Sequence, residues 1–401
     1  MNILFLTMHP FYDIHRRSIY TDLMRRFMKD GHHVYVVAPR EKRHGQETTL
    51  LEGENYSILI VRTGNQSHVS LLEKGLSTIF LKSDFLHAID KYYSGVHFDC
   101  ILYSTPPITL APVVRKLKKR DGARTLLMLK DIFPQNAVDL GMFRKWGLVY
   151  HYFRHKEQEL YRQSDVIGCM SQANIDYVRK HNPEVPQEKV VLCPNSMDLN
   201  PFQTLAPEER DSLRKKHGIP LDATVFLYGG NLGKPQGVDF LLECLRCCRD
   251  MKKVFFALIG SGNEYQKIER FCATEGVQNV KLISELPKDE YERLVGAFDV
   301  GLIFLDHRFT IPNYPSRLLS YLNSGLPVLA TTDPNTDIGG DIVKGGFGWW
   351  CESNDTASFR ACVEETLRSN LPEMGRVGRK YMEEHFTTDV VYASIKGYLG
   401  L

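Results

Sequence analysis

The chain has 401 residues, 43% of them hydrophobic and 24% charged, and a formal net charge of +2. That length exceeds an ordinary single domain and predicts two of about 200 residues each. A balance so near neutral excludes a nucleic acid held by a global positive field. The charge is nevertheless uneven, with 27 Lys and Arg against 21 Asp and Glu in residues 1–200, and 23 against 27 in the remainder. The basic first half suits an anionic membrane surface. MNILFLTMHPFY lacks the basic start of a signal peptide, and no stretch approaches the roughly 20 apolar residues of a spanning helix. Among the nine cysteines, Cys244, Cys247 and Cys248 lack a second pair at metal-binding spacing. They are expected as buried thiols of a reduced, cytoplasmic protein.

In chain order, NILFL (2–6) reads as a buried strand, a helix is expected from Ser18 to Asp30 ended by Gly31, and HHVYVVAP returns as a second strand. The loop after the first strand has no glycine and is no dinucleotide fingerprint. It offers His9, Asp13, His15, Arg16 and Arg17 where open α/β sheets bind ligands. SILIV, DCILY, TLLML, VIGCM and VVLC follow as further strands. The helix after DCILY carries Lys116, Lys118, Lys119 and Arg120, read either as a solvated face or as a contact for anionic lipid. Asp131 follows TLLML, either as a helix-initiating residue or at the reacting centre.

CPNSMDLNPF (193–202) reads as the exit from the first domain. TVFLYGG, VFFALIG, VKLIS, VGLIFL and VLATT then alternate with helices. Together these patterns predict two doubly wound α/β sheets facing each other across a cleft. The last helix, from about Thr388 to Leu399, places Val390, Val391, Ile395 and Leu399 on one apolar face.

Three turns of the second half are rich in anion donors. YGGNLGKPQG carries Gly229, Gly230, Gly233 and Lys234 after the first strand, without the spacing of a Walker loop. IGSGNEYQ carries Gly260 and Gly262 after the second. In IPNYPSRLLSYLNSGLPVLATTD, Pro315 suits a first helical position, Gly325 a left-handed stop, and Ser316 with Arg317 opens the helix. A guanidinium fork there matches phosphate oxygens, and one Arg with one Lys balances a diphosphate.

These pieces resemble the donor-binding domain of family-4 glycosyltransferases of the GT-B fold. GGNLGKPQG, IGSGNE, LPKDEYERLVGAFDVGLIFL, PSRLLSYLNSGLPVLAT, PNSMD and KDIFPQNAVDLG extend the resemblance over nearly the whole chain. The whole chain is similar to their L-fucosaminyltransferase-like branch, which builds bacterial surface polysaccharides. The resemblance implies an acceptor-side domain over 1–200, a nucleotide-sugar domain over 201–385, and a helix over 386–401 crossing back to the first. It implies a UDP-sugar as substrate with no cofactor, a lipid-linked (undecaprenyl-diphosphate) glycan acceptor, and a place on the inner face of the cytoplasmic membrane. Gly233, Lys234, Ser316 and Arg317 would hold the diphosphate. Gly260, Glu285, Leu286, Pro287 and Ser320 would flank the nucleobase and ribose, and Asp131 would face the sugar or acceptor. Retention of configuration is the mechanism implied. The family's two glutamates fall here on Pro312 and Ser320, neither acidic. A sugar-nucleotide 2-epimerase and an inactive partner protein are the alternatives.

Overall fold

The computed structural model describes residues 1–65, 71–200 and 205–401, and only the backbone of 71–76. Pro201 and Phe202 of the expected domain exit lie outside the described residues. The chain divides into two compact units, Met1–Asp198 with Thr388–Leu401, and Leu199–Thr387.

The first unit is built on an eight-stranded sheet: β1 (Asn2–Leu6), β2 (His33–Glu41), β3 (Thr49–Gly53), β4 (Tyr56–Thr63), β5 (Cys100–Ser104), β6 (Arg124–Leu129), β7 (Val166–Cys169) and β8 (Val190–Leu192). Their order is β3-β4-β2-β1-β5-β6-β7-β8. All pairs are parallel except β3 with β4. Strands buried on both faces read as unbroken apolar runs, as NILFL and CILYS do. β3 was not expected: TLLEG sits at the sheet edge, half-buried or exposed throughout, so it carries no such run. The helix Ile19–Lys29 begins after Ser18, whose hydroxyl accepts from the Thr21 N–H. The last helix, Thr388–Leu399, joins this unit's core through Val391, Tyr392, Ile395 and Leu399. Val390, expected on that face, is exposed, and Tyr392 is buried instead.

The second unit holds β9 (Thr224–Gly229), β10 (Val254–Ile259), β11 (Val280–Ile283), β12 (Val300–Phe304), β13 (Val328–Thr332) and β14 (Gly348–Glu352). All are parallel, in the order β11-β10-β9-β12-β13-β14. The order reverses between β9 and β12, the crevice where doubly wound sheets take ligands at the strands' carboxyl ends. β14 was also missed, because GWWCE alternates buried and half-buried residues rather than presenting an apolar block.

The helix Arg317–Asn323 connects β12 to β13. Pro315 is not its first residue as expected. Leu318 N–H bonds to Pro315 O and Leu319 N–H to Ser316 O, so the entry is a tighter turn and the α-helix starts at Arg317. Its end is as expected: Gly325 has φ +68°, with Gly325 N–H bonded to Leu322 O and Leu326 N–H to Tyr321 O. Tyr321 fastens the helix to the sheet. Its ring lies on Gly301 of β12, where a Cβ would come within 2.3 Å, and its hydroxyl accepts from Gly229 N–H and donates to Leu302 O. Gly375, in the helix Leu371–His385, lies so close that a Cβ there would stand 1.9 Å from Gly325 O. Gly375→Ala is therefore expected to destabilise the protein by about 1–3 kcal/mol through backbone displacement, read as a lowered denaturation midpoint.

Candidate active site

Arg317 is the centre of the second unit's site. Its guanidinium carbon stands 4.3 Å from the centre of the Tyr228 ring. Gly230 beside it has φ +122°, a backbone that favours glycine, and a Cβ there would stand in ordinary contact with the guanidinium at 3.7 Å. The Nη1 of Arg317 is enclosed and has no hydrogen-bond partner among the described residues. Burial works against the Arg317 charge, but Tyr228, Tyr321 and Tyr291 outweigh it and hold its pKa above the ordinary arginine value. These rings are neutral at pH 7: burial raises the Tyr228 phenol and pushes Tyr291 up to about 12. A half-buried guanidinium with one enclosed nitrogen thus faces three neutral rings.

The carboxyl ends of four neighbouring strands bring the other expected donor residues to this edge of the sheet. After β9, Gly233 donates its N–H to Gln236 Oε1 at 3.1 Å, so that amide is already engaged within its own loop. Lys234 opens the short turn Lys234–Gln236 and is exposed. After β10, Gly260 serves loop packing: a Cβ would fall 1.9 Å from Gly230 O. After β11, Glu285 accepts from the Ser261 hydroxyl at 2.9 Å. Leu286 is half-buried, and exposed Pro287 leads into the helix Lys288–Val295 that carries Tyr291. After β12, Ser316 precedes Arg317, exposed and with no capping bond from its side chain. Ser320 is half-buried one turn further along. The tyrosines around Arg317 were missed by sequence reasoning. The one signal was Gly301, a glycine inside an apolar strand, which marks a close approach.

In the first unit, Asp131 follows β6 and does not cap a helix, since the helix Gln135–Asp139 begins after Pro134. Its Oδ1 accepts from Asn136 Nδ2 at 2.7 Å, and Thr105 Oγ1 accepts the N–H groups of Lys130 and Asp131. Burial raises the Asp131 pKa to about 6, with Asn136 opposing the shift. Beside it, the Lys130 amine is enclosed without a hydrogen-bond partner among the described residues, and burial lowers it to about 8. Of the residues offered after β1, Arg17 donates to Asp198 O at 2.6 Å, and Asp13 accepts from His15 N–H. Among the described residues, no group of three His, Cys, Asp or Glu side chains is placed to hold a metal ion.

The raised Asp131 pKa fixes the sign of a stability change. Asp131 keeps its proton in the folded state up to about pH 6, whereas the ordinary carboxyl value is 3.8. Unfolding releases that proton between these values, so its contribution to stability is lost as pH rises through them and is level above. Asp131→Asn should flatten that slope and raise stability at pH 7.5 by up to about 3 kcal/mol, in denaturant titrations run at several pH values. Asp333, also raised to about 6 by burial, and Asp84, Glu157 and Asp341, raised by burial as well, keep slopes of the same sign.

Comparison with known proteins agrees with this architecture. Residues 19–201 match the model for Glycosyltransferase Family 4, and residues 209–383 the model for Glycosyl transferases group 1. A probable glycosyltransferase of Pseudomonas aeruginosa, WbjE, is 24% identical over 79% of this chain and 78% of its own. A putative colanic acid biosynthesis glycosyl transferase of Escherichia coli, WcaI, is 25% identical over 71% and 70%. Among solved structures, sucrose-phosphate synthase from Thermosynechococcus elongatus superposes with a TM-score of 0.76 at 14% identity, covering 99% of this chain and 97% of that one. WaaG, a glycosyltransferase involved in lipopolysaccharide biosynthesis, gives 0.67 at 16% identity over the full length of both chains. Anabaena HepE in complex with UDP-glucose gives 0.69 at 16% identity, covering 100% and 99%. The fold is GT-B, with two Rossmann-like parallel-sheet domains. The chain is a glycosyltransferase, composed of a Glycosyltransferase Family 4 domain followed by a Glycosyl transferases group 1 domain.

Proposed function

We propose that the protein transfers a sugar, of the N-acetylated deoxy-amino class, from a UDP-sugar to a lipid-linked (undecaprenyl-diphosphate) glycan in capsule or O-antigen synthesis. The observation that carries this reading is the enclosed, unpartnered Nη1 of Arg317. A buried cation without a carboxylate is costly unless an anion completes it. A nucleoside diphosphate supplies that charge and the paired oxygens a guanidinium recognises. The names of the relatives support the pathway, and the UDP and UDP-glucose complexes of HepE support the donor.

In this reading Arg317 and Lys234 balance the diphosphate charge that grows as the glycosidic bond breaks. Tyr228 backs the guanidinium. Ser320 gives the ribose one neutral hydrogen bond, and Glu285 to Pro287 border the base. Asp131 serves the acceptor side, and its carboxylate form predominates above about pH 6. The protein supplies leaving-group stabilisation rather than a covalent nucleophile, and the configuration of the sugar is retained. The enzyme works at the cytoplasmic face of the membrane, on an anionic lipid surface.

Arg317→Ala should weaken UDP binding by about 1.5–3 kcal/mol, roughly 10- to 100-fold. Arg317→Lys should recover only part, since an ammonium cannot reproduce the fork. Calorimetric titration with UDP checks both, and unchanged affinity in the alanine variant would remove Arg317 from the site. In the same series Asp131→Asn should leave UDP affinity nearly unchanged and depress transfer. No UDP binding and no turnover in the unmodified protein would favour an inactive partner protein, the reading to which the neutral Ser320 gives weight.

A further inference from the structure

The basic helix that drew attention in the sequence is largely neutralised. Lys116 pairs with Asp90 at 2.6 Å, Lys118 with Asp165 at 2.6 Å, and Arg120 with its neighbour Asp121 at 2.7 Å. Only Lys119 of that cluster pairs with no carboxylate among the described residues, and pairs of this kind leave little charge for a lipid surface.

A different face of the first unit carries the exposed apolar surface. Leu148, the first residue of the helix Leu148–Gln163, is 90% exposed, and Trp146 just before it is 67% exposed. Phe80, in the helix Leu71–Tyr92, is 59% exposed. The two helices meet at an open groove of about 330 Å³ whose lining includes Thr78, Ile79, Val149 and Phe153. Ile79, Leu148, Val149 and Tyr152, all exposed, share this groove, and Phe80 and Trp146 adjoin them in sequence; exposed apolar surface grouped in this way marks interaction sites. Trp146 also has φ +66°, a left-handed backbone rarely adopted outside glycine and costly for a bulky side chain. That strain holds a large ring in solvent, edge-on to Tyr150 with centres 5.6 Å apart.

The charge around the patch selects its partner. Between Asp139 and Glu157 the chain has no acidic residue, and Arg144, Lys145, His151 and His155 are all exposed. Arg144 and Lys145 pair with no carboxylate among the described residues, and the Lys145 amine lies 5.7 Å from the centre of the Trp146 ring. Apolar side chains flanked by Trp and Tyr, with a basic rim, match the layering of a membrane–water interface. We infer that this face, formed by Ile79 and Phe80 with the Trp146–Tyr152 segment, inserts into the headgroup layer of an anionic bilayer while Arg144 and Lys145 contact the lipid phosphates. No helix among the described residues is long and apolar enough to cross a membrane, so the attachment is in the plane of one leaflet.

The membrane setting belongs to the proposed function, but vesicle binding needs neither donor nor acceptor, so the two readings fail separately. The full chain is mixed with vesicles of equal parts phosphatidylglycerol and phosphatidylethanolamine, with and without brominated acyl chains. Binding is expected at low salt, with a blue shift and bromine quenching of Trp146 fluorescence that Trp146→Phe abolishes while leaving binding in place. The double variant Phe80→Glu with Leu148→Glu should lower vesicle partitioning by about tenfold or more, and Arg144→Ala with Lys145→Ala should remove most of its salt dependence. All five positions are exposed, so each variant should keep the thermal midpoint and UDP affinity of the parent. Absence of binding to these vesicles at low salt, or partitioning unchanged by the double glutamate variant, overturns the inference. Self-association that Leu148→Glu abolishes, without vesicle binding by the parent, also overturns it and makes the face a contact between two copies of this chain.

Discussion

The second unit depends on keeping one guanidinium charged where no carboxylate among the described residues answers it. An arginine in that position survives because aromatic faces attract a cation without neutralising it. Tyr228 supplies such a face, and the surrounding phenols stay un-ionised because they too are buried. Gly230 holds a left-handed backbone beside the guanidinium, at φ +122°. Gly301 must lack a side chain so that Tyr321 can lie against β12 and hold the helix that bears Arg317.

The first unit treats its own sheet edge differently. Asp131 and Lys130 are neighbours of opposite sign, yet burial drives both toward their neutral forms rather than into an ion pair. The amide of Asn136 engages Asp131, while the Lys130 amine is left with no partner of its own among the described residues. One unit thus presents a fixed charge and the other presents groups able to exchange protons near neutral pH.

Both parallel sheets were legible from apolar runs alone, because a strand buried on two faces has little room for polar residues. The two strands that escaped notice lie at sheet edges, where that constraint relaxes: TLLEG is antiparallel and largely exposed, and GWWCE alternates. Arg317 was singled out in the sequence by its place at a helix start, and the structure encloses one of its guanidinium nitrogens. Its surroundings were not legible, since Tyr228, Tyr291 and Tyr321 come from three elements far apart in sequence. Gly233 illustrates the opposite error. A glycine-rich turn suggests free amides, but whether an amide is free depends on a neighbour such as Gln236, which sequence spacing does not reveal. The lysine-rich helix misled for a related reason: its charges meet Asp90 and Asp165, the latter 47 residues from its partner Lys118.

The position of the last helix has a consequence for how the chain is made. Tyr392 and Lys396 both reach the carboxylate of Asp30, at 2.7 Å each, and Arg26 contacts Asp389. The core that begins with the first strand is closed by residues near position 400. During synthesis the amino-terminal sheet emerges first and waits, its seat for Tyr392 and Ile395 unfilled, while the whole second unit is translated. That unit, continuous from Leu199 to Thr387, has no such dependence and can complete itself as it leaves the ribosome. The order of birth and the order of completion are therefore reversed. Loss of the helix Thr388–Leu399 would thus injure the half of the protein made first.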